Sequence, residues 1–168
     1  GEYEMYGPYV ILTVGDNVMK FKENIGPIDT NKKKPKEEMY DSFPTDTPVY
    51  LLPNEAVVGQ LHPQLELPED VGLQILHSIP FVQSGVGITS PDPDLLYVDH
   101  HSANAGWVDP GYQGFVTGHP IRRKFIDVLE KGKPIALGLL YKYNQPVEVP
   151  YGSEVLGSHY QGSKGDVS

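Results

Sequence analysis

Short runs of apolar and polar residues, interrupted by glycine and proline, extend along the whole chain. Residues 9–14 are β-branched and aromatic and end at the turn-forming residues 15–17, so we predict a strand that turns back into a partner starting at Val18. Residues 134–141 form the most apolar run, which predicts a central core strand. No stretch of twelve or more residues keeps a helical period, and 18 Gly and 16 Pro break the pattern. The sequence therefore predicts an all-β fold with little helix.

Further strands are predicted where apolar and polar residues alternate between turn signals. We expect two strands within 49–59, two within 65–75, and one each within 86–89, 114–117 and 125–129.

The length of 168 residues fits one core, and we predict a single domain over residues 1–168. Residues 23–48 are rich in Lys, Pro, Asp and Thr and are expected to form a surface excursion. Residues 90–106 are a Pro-, Asp- and His-rich insertion. Residues 152–168 have the composition of a C-terminal arm that becomes ordered only when it binds a partner.

The formal net charge of −9 argues against a general nucleic-acid binder, because such proteins neutralise phosphates with basic patches. The basic run at 32–36 lies beside acidic residues and is interpreted as a solvated loop. No apolar run approaches the roughly 18–20 residues that span a bilayer, so we predict a soluble protein without a membrane partner. The absence of Cys excludes disulfides and thiolate metal sites.

The segment Trp107-Val108-Asp109-Pro110-Gly111-Tyr112-Gln113-Gly114 carries the clearest candidate chemistry. Proline and glycine fix a tight turn, backbone groups can read a base edge, and an aromatic ring can pack on a sugar or base. These features predict a nucleoside site. An alternative stays open, in which the fold needs the turn and Tyr112 only fills a crevice.

This segment resembles the Ile-Asp-Pro-Gly-(Tyr/Trp)-x-Gly hairpin of dUTPases and dCTP deaminases. The resemblance continues upstream through Leu67-Pro68-Glu69-Asp70-Val71 and downstream through 132–141, 150–152 and 160–162. It covers residues 49–168 and is strongest to the dCTP deaminase branch. It implies a distorted jelly roll of the dUTPase type, a β-clip barrel, assembled as a homotrimer with nucleotide pockets between subunits.

The resemblance also implies roles for individual residues. Asp109 would contact the sugar or hold a water, and Tyr112 would pack against the deoxyribose. The candidate substrate-binding residues are Asp109, Gly111, Tyr112, Tyr151, Tyr160 and Ser78. Independently of the family motif, the two arginines of the chain, Arg122 and Arg123, are the candidate phosphate-binding residues.

Several positions depart from the family pattern. The general acid/base Glu of the deaminases aligns with His119, which can move protons near neutral pH, but with Pro120 following it is better explained as a surface or interface histidine. The phosphate-binding Arg-Ser-Ser motif falls on Ser78-Ile79-Pro80, which keeps one hydroxyl and no guanidinium. The Lys and Gln of the tail motif align with His159 and Ser163, and the first-strand Asp aligns with Ile11.

Asp99, His100 and His101, with His119 elsewhere in the chain, are candidate ligands for a divalent metal ion, since imidazole and carboxylate suit several such ions. Adjacent histidines on an extended chain point to opposite faces, so both rarely bind one ion, and we predict no metal site. One version stays open, in which one His per subunit meets two copies at a three-fold axis. We predict no cofactor, except that attack on a triphosphate would require Mg²⁺.

The changed positions favour a non-catalytic homologue, either a structural protein such as a virion decoration subunit or a nucleotide-binding protein. Its partners would be a deoxynucleotide or a capsid protein, and it would be cytoplasmic or virion-associated. The alternative is an active pyrimidine deoxynucleotide hydrolase or deaminase with relocated residues. In that case Asp109 would position water and His119 would act as base. Arg122, Arg123 or Lys124, from the same or a neighbouring subunit, would bind the phosphates.

Overall fold

The computed structural model describes residues 5–6, 9–27, 29, 36–53, 55–76, 87–88, 107–122, 126–156, 158 and 161–164. Within these ranges the chain forms twelve strands and one four-residue helix, which confirms the predicted all-β fold. The elements are β1 (Met5–Tyr6), β2 (Tyr9–Phe21), α1 (Lys36–Met39), β3 (Tyr40–Pro44), β4 (Val49–Leu51), β5 (Ala56–Glu66), β6 (Val71–Leu76), β7 (Gly87–Ile88), β8 (Trp107–Val108), β9 (Gln113–Arg122), β10 (Asp127–Leu129), β11 (Pro134–Lys142) and β12 (Ser163–Lys164).

One large sheet contains most of the strands. Its main path runs β12-β9-β5-β2-β11-β6-β8, while β1 and β3 also pair with β2 and β7 pairs with β9. β11 is hydrogen-bonded to β2 on one side and to β6 on the other, so the prediction of a central strand over residues 134–141 is confirmed. β4 and β10 form a separate antiparallel pair.

The main core lies between the inner face of this sheet and the β4–β10 pair. Alternate residues of β2, including Leu12 and Val14, point into it, as the period of two in a strand requires. Leu51 of β4 and Leu129 of β10 are fully buried in the same cluster. A second cluster, which contains Leu65, Leu67, Leu73, Val108 and Tyr112, lies beneath the Asp109–Tyr112 turn. The candidate site therefore rests on a hydrophobic base of its own.

The prediction of a hairpin turn at residues 15–17 is wrong, because β2 continues through these residues as one strand of 13 residues. Opposite β5, the pairing passes from Val14 with Leu61 to Val18 with Gly59, so residues 15–17 form a bulge. Two polar side chains that are buried satisfy the backbone of this bulge. The Thr45 hydroxyl donates to the Gly15 carbonyl, and Gln60 Oε1 accepts the Asp16 N–H at 2.7 Å.

The predicted excursion and arm are only partly irregular. Within 23–48, β3 pairs with β2 along the edge of the sheet, and four of its five residues are exposed. Within 152–168, β12 pairs in parallel with β9 of the same chain, which differs from the expectation that the arm becomes ordered only on a partner. Residues 90–106 of the insertion lie outside the described residues, and the single-domain organisation stays a prediction.

Leu51→Ala should lower the free energy of unfolding by about 2–5 kcal/mol, because it opens a cavity between β4 and the main core. Leu52→Ala is the matched control, since Leu52 is 51% exposed, and it should change stability by no more than about 0.5 kcal/mol. Chemical denaturation of both variants measures the difference. Equal losses would contradict the placement of Leu51 in the core.

Candidate functional site

The Asp109-Pro110-Gly111-Tyr112 segment forms a tight turn. The Tyr112 N–H donates to the Asp109 carbonyl at 3.2 Å, with proline second and glycine third in the turn. Gly111 has a φ of 90°, as the third position of a type II turn requires. A Cβ at Gly111 would also lie 2.9 Å from the Tyr151 carbonyl oxygen, so the close approach of these two segments needs glycine.

Backbone hydrogen bonds hold the turn from two directions. Gly111 N–H donates to the Pro68 carbonyl at 3.0 Å, and Leu67 N–H donates to the Tyr112 carbonyl at 2.9 Å. On the other side, Tyr151 N–H donates to the Pro110 carbonyl at 2.8 Å. The segments that resemble the family around 67–71 and 150–152 therefore meet at the turn in space.

Gln161 closes a third side of the turn from the C-terminal arm. Its Oε1 accepts the Gln113 N–H at 3.0 Å, and its Nε2 donates to the Gly111 carbonyl at 3.2 Å. Gly162 N–H donates to the Gln113 carbonyl at 2.7 Å. The arm thus belongs to the surroundings of the turn within a single chain.

The Asp109 side chain is half-buried and is oriented by Trp107, two residues earlier in the chain. The indole N–H of Trp107 donates to Asp109 Oδ1 at 3.0 Å. A carboxylate held in this way can accept hydrogen bonds from a sugar hydroxyl or from water. The structure therefore places Asp109 in a position compatible with the role that the resemblance implies.

Tyr112 points the other way, into the second core cluster, and only 6% of it is exposed. Its hydroxyl donates to the Phe115 carbonyl at 2.7 Å, and its ring meets Tyr151 edge-on with centroids 5.5 Å apart. Burial and, to a smaller extent, Tyr151 raise the pKa of Tyr112 from 10.0 to about 12, and a hydrogen bond with Ser163 opposes this shift. This geometry agrees with the alternative in which Tyr112 fills a crevice, and its contact with a deoxyribose stays a prediction.

A polar cluster that sequence reasoning missed lies behind the arm. Gln60 is 7% exposed, and its Nε2 donates to the Lys164 carbonyl at 2.7 Å. His62 Nε2 lies 2.9 Å from Gln60 Oε1, and Lys131 forms an ion pair with Asp16 at 2.6 Å. The hydrogen bond from Lys131 holds the pKa of Asp16 below its usual value. A glutamine between the apolar residues of strand 56–66 was the signal that could have indicated this cluster.

The remaining predicted residues divide into two groups. His119 and Arg122 lie in β9, where the structure describes their backbone alone, and Ile11 lies in β2 opposite Leu137 of β11. Outside the described residues lie Ser78, Ile79, Pro80, Arg123, Lys124, His159 and Tyr160, together with Asp99, His100 and His101, at which no metal site was predicted.

No group of three or more His, Cys, Asp or Glu side chains among the described residues could hold a metal ion. None of the helices formed by those residues has the length and apolar character needed to cross a membrane.

Comparison with known proteins gives consistent results, although no family model matches the chain. The chain is 33% identical to the dCTP deaminase, dUMP-forming, of Acidothermus cellulolyticus over 121 residues, which are 71% of this chain and 56% of that protein. It is 28% identical to the protein of the same name from Kocuria rhizophila over 139 residues, which are 82% of this chain and 66% of that protein. The chain therefore spans less than two thirds of the length of these relatives.

Among solved structures, the chain is similar to 2′-deoxycytidine 5′-triphosphate deaminase from Agrobacterium tumefaciens. The TM-score is 0.59 at 12% identity, over 80% of this chain and 39% of that chain. This likeness shows the fold and confirms the fold class that the resemblance implied. The homotrimer stays a prediction.

Gly111→Ala should destabilise the turn more than Gly132→Ala destabilises its own turn. Both glycines have a similar φ, 90° and 85°, but a Cβ at Gly132 would meet no atom within 4 Å. Gly132→Ala should cost about 1–2 kcal/mol for backbone strain alone. Gly111→Ala should cost a further 1–3 kcal/mol or so, because its Cβ displaces the segment whose Tyr151 N–H bonds to Pro110.

Chemical denaturation compares the two glycine variants, and amide hydrogen exchange reports the Tyr151 N–H directly. Exchange at Tyr151 should accelerate in Gly111→Ala and stay unchanged in Gly132→Ala. Equal stability losses with unchanged Tyr151 protection in both variants would contradict the described packing.

The raised pKa of Tyr112 predicts that the folded protein loses stability at alkaline pH. Its pKa is about 12 in the folded protein against 10.0 for the ordinary phenol, so the folded state holds this proton more tightly. The stabilising contribution is present below pH 10 and is lost as the pH rises through about 12. In Tyr112→Phe the free energy of unfolding should fall less steeply with pH over this range. Tyr50→Phe is the control, because Tyr50 is 58% exposed, and its free energy of unfolding should fall as steeply as that of the unmodified protein. Denaturation series from pH 8 upward measure these slopes, and identical slopes in all three proteins would refute the assignment.

Proposed function

Because the chain belongs to the dUTPase/dCTP deaminase superfamily, we propose that it binds a pyrimidine deoxynucleoside triphosphate at the Asp109–Tyr112 turn and hydrolyses it. The observation that carries this proposal is the turn itself, which three segments hold and in which Trp107 orients Asp109. The names of the similar proteins favour the active enzyme over the non-catalytic homologue that the changed positions had favoured.

The proposed substrate is dCTP, and the proposed reaction is the one in the name of the relatives. One water replaces the amino group of the cytosine and releases ammonia. A second water cleaves between the α- and β-phosphates, so that dCTP and two waters give dUMP, pyrophosphate and ammonia. Asp109 would hold the sugar or a water, and His119 is the candidate that moves the proton.

The phosphates require positive charge in an acidic protein. Arg122 and Arg123 are the candidate phosphate-binding side chains, because a guanidinium group matches phosphate oxygens with two parallel hydrogen bonds. Mg²⁺ would neutralise part of the triphosphate by binding its oxygens. Both contributions are proposals for the nucleotide complex.

A second candidate function is binding without turnover. It is favoured by Ile79 and Pro80, which replace two phosphate-binding positions of the family pattern, and by His119 in place of the general acid/base Glu. Such a protein would sense or sequester a deoxynucleotide.

The active assembly is proposed to be a homotrimer. Tyr9, Ile11, Leu76, Leu137 and Leu139 lie on one outer face of β2, β11 and β6, where each is only half-buried in the single chain. A sheet face of this composition is suited to burial against another subunit. Mass photometry should show a trimer, and a purely monomeric protein would reject this part of the proposal.

Incubation with dCTP, with and without Mg²⁺, tests the proposed function. We expect dUMP and ammonia, with a loss of at least tenfold in kcat/KM for Asp109→Asn, because the amide cannot replace both carboxylate acceptors. Asp46→Asn is the matched control, since Asp46 is an exposed carboxylate away from the turn, and it should leave the rate unchanged.

The products separate the candidate reactions. dCMP and pyrophosphate without ammonia would indicate hydrolysis alone, and dUTP with ammonia would indicate deamination alone. No product together with a thermal shift on adding dCTP would favour binding without turnover. No product and no shift would reject both functions.

A further inference from the structure

Within the described residues, β3 forms an exposed edge of the large sheet. Of the described strands, only β2 pairs with it, and four of its five residues are exposed. The unpaired N–H and C=O groups of an edge strand are a template for pairing with another chain, and proteins usually cover or shorten such edges. The outer side of β3 is therefore a candidate interaction surface.

Two hydrogen bonds fix the ladder between β2 and β3. At one end the Thr45 N–H donates to the Asp16 carbonyl at 3.0 Å, and at the other end the Lys22 N–H donates to the Met39 carbonyl at 2.8 Å. Both pairs lie in the same register as the strands between them. In an antiparallel ladder, residues that bond to the neighbouring strand alternate with residues whose backbone groups point away from it. Every second residue of β3 therefore presents its backbone to the outside.

The outward-facing residues are Tyr40, Ser42 and Pro44, whereas Asp41 and Phe43 bond to β2. The outward-facing residues present three carbonyl groups but fewer N–H groups. Pro44 has no N–H, and Tyr40 directly follows α1, where an N–H bonds to the carbonyl four residues earlier. The Ser42 N–H is therefore the one donor that these three residues offer to an added strand.

A groove with an excess of negative charge lies along one face of β3. It has a volume of about 610 Å³, and its charged lining consists of two lysines and four carboxylates, namely Lys20, Lys22, Glu23, Glu38, Asp41 and Glu55. Lys20 forms an ion pair with Glu55 at 2.9 Å. Lys22 forms one with Asp41 at 3.7 Å. Glu23 and Glu38 are exposed and form no ion pair with another described side chain, so their two negative charges are not balanced within the groove.

We propose that β3 binds an extended, positively charged segment of a partner protein, which adds to the sheet as a further antiparallel strand. The central residue of this segment pairs with Ser42, and its neighbours donate to the Tyr40 and Pro44 carbonyls. An apolar residue lies opposite Phe43, whose ring is 37% exposed. A Lys or Arg lies opposite Asp41, where its charge meets the carboxylates of the groove. This inference does not depend on the proposed function.

A second copy of the chain fits this edge less well than a basic partner. Two copies of β3 paired with each other would bring two acidic grooves together in a protein with a net charge of −9, and like charges across neighbouring strands are destabilising. Pro44 would also leave the carbonyl opposite it without a donor. Charge and backbone together therefore favour a partner of different sequence.

A blocked heptapeptide, Lys-Thr-Val-Thr-Lys-Thr-Lys, provides the test. In the antiparallel alignment its central threonine pairs with Ser42, its valine lies opposite Phe43, and the following lysine lies opposite Asp41. Amide hydrogen exchange followed by NMR should slow at the Ser42 N–H when the peptide is added. Exchange at Asp41 and Phe43 should stay unchanged, because their N–H groups already face β2.

Two control peptides separate strand pairing from charge attraction. Replacing the central threonine by proline keeps the charge but removes the N–H that donates to the Ser42 carbonyl, so this peptide should give no protection at Ser42. Replacing the lysines by glutamates keeps the backbone but reverses the charge, and this peptide should not bind.

Variants of the protein test the groove. Glu23→Gln and Glu38→Gln should each weaken binding of the lysine peptide by about two- to fivefold, as expected for the loss of one exposed charge pair. Glu154→Gln is the matched control, because Glu154 is an exposed carboxylate outside the groove, and it should bind the peptide with unchanged affinity.

Three results would overturn the inference. One is protection of the Ser42 N–H without peptide, which would show that another part of the chain or a second copy already pairs with β3. Another is equal affinity for the lysine and proline peptides, which would show charge attraction without an added strand. The third is unchanged exchange at Ser42 at the highest soluble concentration of the lysine peptide.

Discussion

The side-chain amide of Gln60 connects parts of the chain that are more than a hundred residues apart. Its oxygen accepts the N–H of Asp16 in the bulge of β2, and its nitrogen donates to the carbonyl of Lys164 in the last described strand. The side chain is almost fully buried, and a buried amide without partners would cost about 1–3 kcal/mol for each group left unpaired. The bulge lets β2 stay one long strand, and the same amide holds the C-terminal strand beside β9. The surroundings of the Asp109–Tyr112 turn depend on both.

The side chains of the Asp109–Tyr112 turn and of the adjacent Trp107 point in two directions. Tyr112 points inward, where its ring packs beneath the turn and its hydroxyl bonds to the backbone of Phe115. Asp109 and Trp107 point outward, where their side chains are half-buried and joined by a hydrogen bond. The inward half is a requirement of the fold, and the outward half is available for chemistry. The recognisable turn therefore depends on the inward residues more than on the outward ones.

The substitutions of the family pattern have a physical context in this arrangement. Ile11, in place of an expected Asp, lies in a row with Leu137 of β11 and Leu76 of β6 on the outer face of the sheet. An aliphatic side chain fits this apolar row better than a carboxylate, because burial of a charge without a partner is costly. Next to this row, the Trp107 indole N–H donates to the Asp109 carboxylate.

The sequence by itself determined the features that depend on local chain geometry. The alternation of apolar and polar residues predicted an all-β fold and the central position of β11, and both are confirmed. Proline followed by glycine at 110–111 predicted the tight turn, because proline fixes φ and glycine permits the positive φ that the next position of the turn needs.

Only the tertiary structure decided three other features. Residues 15–17 have the composition of a hairpin turn, yet they form a bulge because Gln60 and Thr45 supply partners for their backbone. Tyr112 could face a ligand or the core, and the packing of Leu65, Leu73 and Tyr151 decided for the core. The arm has the composition of a disordered tail, yet its last strand pairs with β9. In each case the deciding contacts come from residues far away in the chain, and a local pattern of residues does not contain that information.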